Sequence, residues 1–478
     1  MRTVLLTLAT FLFVLPAYAK YSGGSGTAQD PYQIATAADL IALGETPEDY
    51  GTHFILTADI DLDPNLPGRK VFTKAVISPD TDPDTWGFFQ GTPFTGVFDG
   101  NGHTISHLTM KGENYLGLFG QLGTGALIGE IRNLGTVDVN VAGSGNYVGG
   151  LLGSNMSTVT QCYSTGAVSN TDLYGYVGGL VGLNGGSVTQ CYSAGKVKGG
   201  KVGGLVGENE GDLTHSYSTG AHSGNGIVGG LVGDNYFGTV AHCYSISTVT
   251  GHYCVGGLVG SNENDVNQCY STGAVTGGDA IGGLVGSNNG GSVTQSHSTG
   301  AVDGNYESVG GLVGHNGGAV AQCYSTGALS GDSAVGGLVG SNGGAITNCY
   351  SIGSVAGRKA VGGLVGSNSR GGLESRYRGE ILHCYAAGSV SGDEEVGGLV
   401  GSDNVGGQTN VSFWDIQTSG QATSVGGTGK TTAEMQTVST FLEAGWDFAG
   451  ETANGTEDIW WILEGKDYPH LWWEAAKK

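Results

Sequence analysis

Val177-Gly178-Gly179-Leu180-Val181-Gly182-Leu183-Asn184 decides the fold, because the chain keeps repeating it. Glycine pairs open related octets at Gly149, Gly178, Gly203, Gly229, Gly256, Gly282, Gly310, Gly336, Gly362 and Gly397. The recurrence comes about every 26 residues, a period that marks a solenoid or array. A shorter relative, Leu116-Gly117-Leu118-Phe119-Gly120, lies upstream. One unit reads as a glycine-rich apolar strand, a turn at Asn, a second strand around Val188 to Ser193, a turn at Gly195 and a short third strand such as Ala274-Val275. No unit carries a helical pattern. So short a unit cannot bury its own apolar face, but stacked on its neighbours it can. The expectation is an all-β parallel β-helix of about eleven coils, roughly 50 Å long at ~4.8 Å per coil.

Stacking assigns work to particular registers. Asn155, Asn184, Asn209, Asn235, Asn262, Asn288, Asn316, Asn342 and Asn368 close nine octets, and Asp403 closes the tenth. Asn suits the left-handed conformation of a sharp turn, and its amide can bond to the Asn above and below. As cation ligands, neutral amides without adjacent carboxylates are poor. Seven of the eight cysteines share a second register, where Ser216 and Ser296 fill two other copies. Serine replaces cysteine by size but not in a bridge, so this row reads as buried, mostly reduced thiols. Tyrosine follows that register in eight copies, and His297 in a ninth. This aromatic row reads first as packing. If it faces outward, Tyr192, Tyr217 and Tyr244 become candidate glycan contacts. Val188 and Cys191 are three apart, so both point inward only if the strand carries a bulge. Leu180 and Val181 are adjacent, so a regular strand sends them to opposite faces. Either the glycines bend the strand, or an apolar stripe lies outside and drives lateral self-association.

The ends differ from the repeats. Arg2, the apolar run Val4 to Leu15 and Ala17-Tyr18-Ala19 form a secretory signal over residues 1–19, too short to span a bilayer. The mature chain is expected to begin near Lys20, exported, with no later membrane span. Residues 20–112 form an N-terminal capping region. It holds a short helix from Thr36 to Leu43 capped by Thr36, a strand from Phe54 to Leu62, a Pro/Asp-rich loop over 63–90, and strands at Phe94–Phe98 and His103–Leu108 joined by the tight turn Asp99-Gly100-Asn101-Gly102. Residues 113–405 are the repeats. The longest insertion falls between Val365 and Cys384 and holds Arg370, Arg376 and Arg378, a basic cluster and candidate binding loop. Residues 406–478 hold six of the seven tryptophans and a capping box, Thr431 to Glu434, before a helix through about Ala444. That region is expected to plug the last coil, with a carbohydrate-binding platform as the rival reading.

Composition and missing motifs narrow the function. Glycine supplies 93 of 478 residues, nearly three times the usual ~7%. The net charge of −23 repels nucleic acid and anionic membranes. There is no His-Glu-x-x-His zinc site, no phosphate loop with its leading glycine, no Gly-x-Ser-x-Gly elbow and no calcium β-roll nonapeptide, so no metal or cofactor is expected. A β-helix polysaccharide lyase or glycoside hydrolase needs acids paired across coils. Asp279, Asp332 and Asp393 come nearest, in slightly different registers and with basic residues only at a distance.

Val-Gly-Gly-Leu-Val-Gly-x-Asn followed by Cys-Tyr-Ser-Thr-Gly resembles the GLUG motif of large exported bacterial proteins, among them adhesin-like proteins and regions attached to IgA-specific metallopeptidases. Phe98-Asp99-Gly100-Asn101-Gly102-His103 and Gly445-Trp446-Asp447-Phe448 resemble the segments that flank such repeats. The resemblance implies a right-handed β-helix of the pectin-lyase-like type at the surface or outside the cell, and no activity. The expected function is a secreted or surface-exposed structural, adhesive protein binding extracellular glycans or proteins. The polysaccharide-active enzyme is the alternative.

Overall fold

The computed structural model describes residues 20–477 except 83–87, 369–378 and 404–405. The signal segment and Arg370, Arg376 and Arg378 therefore lie outside the described residues.

The chain winds into a parallel β-helix of about eleven turns. In the coil that follows the quoted octet, Val181–Asn184 belongs to an eleven-stranded wall and Ser187–Thr189 to a fourteen-stranded wall. Tyr192–Gly199 and Lys201–Gly203 lie on the remaining side. Each strand pairs in parallel with its copy one coil away, in register: Asn155 with Asn184, Val159 with Val188, Tyr163 with Tyr192. Among the described residues one pair is antiparallel, Trp460–Trp461 with His470–Leu471.

Corners let adjacent residues point the same way. Val177, Leu180, Val181, Val188 and Cys191 all have 0% exposure. Between Tyr176–Gly178 and Val181–Asn184 the chain bends at Gly179-Leu180, and the N–H groups of both Leu180 and Val181 donate to the Leu205 carbonyl, at 3.0 and 3.1 Å. That bend resolves the Leu–Val adjacency. The leucine row faces the core, so the outer apolar stripe, and with it the reason to expect lateral association, is overturned. Glycine is required at the bend. A Cβ at Gly178 would overlap the Val181 carbonyl oxygen, and one at Gly179 would overlap Ser193 Oγ and the Gly204 carbonyl oxygen.

The second corner corrects the strand expected at Val188 to Ser193. The strand ends at Thr189, and Gln190 takes a left-handed conformation at φ 55° before Tyr192 begins the next one. Gln161, His215, His242, Gln268, Gln295 and Gln322 do the same in their coils. Such a conformation costs an L-residue roughly 1–2 kcal/mol. It persists because the Gln190 N–H still reaches the Thr214 carbonyl of the next coil, at 3.2 Å. So Val188 and Cys191 both point inward around a corner, without a bulge. The asparagines are not the left-handed residues. They end their strands, fully buried, and the positive angles fall elsewhere.

Both ends are covered. The helix Ala37–Gly44 has the Thr36–Asp39 capping box and buries Ala37, Leu40 and Leu43 against the first coils. The strand expected over 54–62 is two, His53–Leu56 and Ile60–Asp61, on different walls. Asp99 to Gly102 is likewise a corner between walls rather than a hairpin turn, since Val97–Asp99 and Thr104–Ser106 pair with different neighbours. At the other end the expected helix is two short ones, Thr432–Met435 and Val438–Leu442, broken at Gln436-Thr437. Trp414 packs into the main core at the last coil. The other buried tryptophans do not plug it. Trp446 and Trp460 form a second core on the outer wall, with Tyr350, Tyr385, Phe413 and Phe441.

Candidate functional site

The second core exists because a tyrosine row faces outward. Tyr163, Tyr192, Tyr217, Tyr244 and Tyr270 stack with ring centroids 4.8–5.0 Å apart and planes within 6° of parallel. His297 continues the row at 5.2 Å, followed by Tyr324, Tyr350 and Tyr385. The row starts over Gly135, where a Cβ would overlap the Tyr163 ring. Its last three rungs are roofed by the C-terminal segment. The Tyr385 hydroxyl donates to the Pro469 carbonyl at 2.6 Å, the Tyr350 hydroxyl to Glu474 Oε2 at 2.9 Å, and the Trp473 indole to the Gln322 carbonyl at 3.1 Å. Burial raises the Tyr350 and Tyr385 phenols far above their ordinary value.

Where this roof stops, a cleft of about 440 Å³ opens between Tyr270, His297, Gln268, Gln295, Trp472 and Trp473. Gln268 Nε2 donates to Gln295 Oε1 at 2.9 Å, and Gln295 Nε2 to Gln322 Oε1 at 3.2 Å, so one side is a ladder of amides at the left-handed corner. Trp473 leans on Tyr324 and His297, with centroids at 5.5 and 5.9 Å. Trp472 donates to Gln322 Oε1 at 3.3 Å and remains 42% exposed. Flat apolar indoles beside fixed amides are what a sugar ring requires: a face to stack on and partners for its hydroxyls. Of the residues singled out in sequence, Tyr192, Tyr217 and Tyr244 lie on the same row short of the cleft. Tyr270 and His297 belong to the aromatic row read in sequence and Trp472 to the tryptophan-rich end. The glutamines were missed. The glutamine register itself, recurring just before Cys162, Cys191, Cys269, Ser296 and Cys323, was the available signal.

The asparagine row has another place. Asn155 Nδ2 donates to Asn184 Oδ1 at 2.7 Å, and the chain of amides continues through Asn209, Asn235, Asn262, Asn288, Asn316 and Asn342 to Asn368, at 2.7–2.9 Å per step. All nine have 0% exposure, so none is open to a ligand. The ladder cysteines are also buried and free, and from Cys191 onward their sulfurs accept a backbone N–H of the preceding coil, as Cys191 Sγ does from Cys162 at 3.4 Å.

The acids have two settings. Asp279 and Asp332 line a second cleft of about 490 Å³ with Tyr253, Tyr306, His252 and Glu307, and Asp393 is not part of it. Arg358 grips Asp332 through two bonds, at 2.7 and 3.1 Å, which corrects the expectation of distant basic residues only. That pairing holds the Asp332 carboxyl below its ordinary value. The second setting went unnoticed in sequence. Glu208 and Asp234 occupy the variable place of the octet in adjacent coils and are register partners. Burial, with the neighbouring Glu210 and Asp234 carboxylates, pushes Glu208 to about 7. Lys201 Nζ donates to the Tyr176 hydroxyl at 2.7 Å, and that hydroxyl lies 3.5 Å from Asp234 Oδ2. Among the described residues no helix is long and apolar enough to cross a membrane.

The chain carries repeats of the GLUG motif, matched at residues 144–169, 174–198, 251–276, 305–330, 331–356 and 357–391. Halomucin of Haloquadratum walsbyi is 34% identical over 156 residues, covering 32% of this chain and 2% of that protein. A provisionally named Gly-rich membrane protein of Evansella cellulosilytica is 34% identical over 149 residues, covering 29% of this chain and 15% of that protein. The chain thus matches only a small part of these curated relatives' length. A solved structure from Bacteroides ovatus, provisionally assigned as an immunoglobulin A1 protease, aligns over 95% of both chains at 17% identity with a TM-score of 0.31.

Proposed function

We propose that this GLUG-repeat β-helix is an adhesive scaffold, secreted or held at the cell surface, that binds an extracellular glycan in the cleft between the tyrosine row and Trp472-Trp473. One observation carries the reading: the indoles meet a ladder of fixed amides in a cleft large enough for a sugar ring. The location draws support from the signal-like residues 1–19 and from relatives that bear the names Halomucin and Gly-rich membrane protein. The test is a glycan array probed with the wild type and with Trp472→Ala. Binding that disappears in the variant supports the proposal, and a wild type that retains no glycan sinks it.

Catalysis has one observation in its favour, the near-neutral Glu208 carboxyl beside Asp234. A polysaccharide-cleaving enzyme would release reducing ends or unsaturated uronides, with loss of release in Glu208→Gln. No such release from a panel of plant and bacterial polysaccharides removes this reading.

A further inference from the structure

The tyrosine row has a geometry that selects among glycans. Stacked rings hide their faces. Between Tyr163 and Tyr192 the centroids are 4.8 Å apart and the planes 1° from parallel, which leaves no room for a sugar to enter. The end faces are closed as well, by Gly135 at one end and by Tyr468, 6.1 Å from Tyr385, at the other. What the row offers outward is its edge. The hydroxyls of Tyr163, Tyr192, Tyr217 and Tyr244 make no hydrogen bond to the described residues. A phenol both donates and accepts, and neighbouring rungs are too far apart to satisfy one another. Beside them runs the row of left-handed corner residues Gln161, Gln190, His215, His242 and Gln268. The wall therefore presents a phenol and a Gln or His side chain once per coil, along a line that ends in the cleft under Trp472.

Resting on the glycan reading above, we infer that the ligand is a neutral, linear polymer of equatorially linked pyranoses, of the β-1,4 kind. It lies along the helix axis with one rung per sugar and its terminal ring against the indoles. Three observations lead there. The rung spacing of 4.8–5.2 Å is about the advance of one pyranose in such an extended chain, so hydroxyls and phenols stay in step over several residues. An α-1,4-linked chain coils and falls out of step after one or two sugars. The net charge of −23 disfavours a polyanion on the same wall.

Titration calorimetry with β-1,4-linked glucose or N-acetylglucosamine oligomers of increasing length, against α-1,4-linked glucose oligomers of equal length, tests this. For the β-linked series the association constant is expected to climb with length until the exposed rungs are used, and for the α-linked series to stay flat. Tyr217→Phe keeps the stack and removes one hydroxyl. It should weaken the long β-linked oligomer roughly three- to tenfold, the loss of one hydrogen bond, and leave the dimer untouched. Trp472→Ala should weaken every length. Equal affinity for both linkages, or affinity independent of length, overturns the inference and leaves the glycan reading standing. Failure of all these oligomers overturns the inference as well, and array binding then decides the glycan reading separately.

Discussion

Asn184 Nδ2 donates to Asn209 Oδ1 at 2.7 Å, and both residues have 0% exposure. Each amide in the row thus serves two coils, giving a proton to one and taking one from the other. Replacing Asn262 by Ala takes the ladder partner from buried Asn235 Nδ2 and from buried Asn288 Oδ1. The expected cost is ~2–4 kcal/mol in urea unfolding. An unchanged midpoint would show that the row fills space and does no more.

His222 sits at 1% exposure where the neighbouring coils carry Val197 and Val249. Its ring meets Ser218 Oγ at 3.1 Å and Ser247 Oγ at 2.9 Å. Burial lowers it from 6.5 to about 4. Its contribution to stability is complete above about pH 6.5 and is lost as pH falls toward 4. The loss is ~3 kcal/mol by the usual conversion. The variant His222→Val should lack this acid-side decline, as read from urea midpoints at a series of pH values.

Glu208 runs the opposite way. Its carboxyl rises from 4.5 to about 7 in the folded chain. Its contribution is therefore present below about pH 4.5 and disappears as pH rises through 7, by ~2–3 kcal/mol. Glu208→Gln should flatten that limb and raise stability at pH 8. A variant no more stable than the parent at pH 8 would mean Lys201 and Tyr176 already compensate the charge.

Exchange of Cys243 for Ser is expected to cost below ~1 kcal/mol, because Ser216 and Ser296 already hold rungs of the same row with the same backbone contact. Burial drives the thiols of Cys162, Cys243, Cys349 and Cys384 well above their ordinary value. In the native protein the seven ladder thiols should resist a thiol reagent at pH 8 and react fully in urea, with the partly buried Cys254 outside this set. Fast labelling of several thiols without denaturant would contradict the buried row.

Trp446→Ala removes a fully buried ring from the outer core and should cost ~3–5 kcal/mol locally. Hydrogen exchange is expected to rise over 432–471 while the coils before Tyr270 stay protected. Loss of protection throughout would tie the cap and the rod into one cooperative unit.

The period of the glycine octets was enough to read the rod, since a unit that cannot bury Leu180 and Val181 alone has to stack. The corners were harder. Gln190 carries no local signal for a left-handed backbone, and only the demand that Val188 and Cys191 both face inward puts it there. Asn184 does carry such a signal and was misread for that reason, because its amide is worth more as a rung than its backbone is as a turn. The cleft was illegible because it joins Gln295 to Trp472, residues that meet only when the last segment folds back along the wall.

That return also gives the rod a mechanical polarity. Trp473 is fastened to Gln322, 151 positions earlier in the chain, and Pro469 and Glu474 are fastened to Tyr385 and Tyr350. Pulled by its two ends, such a molecule cannot shed its final coils one at a time until this strap tears. Among the described residues the coils before Tyr270 carry no strap of this kind and can peel off singly. Stretched in this way, the rod would yield early over its first half and fail abruptly over its second.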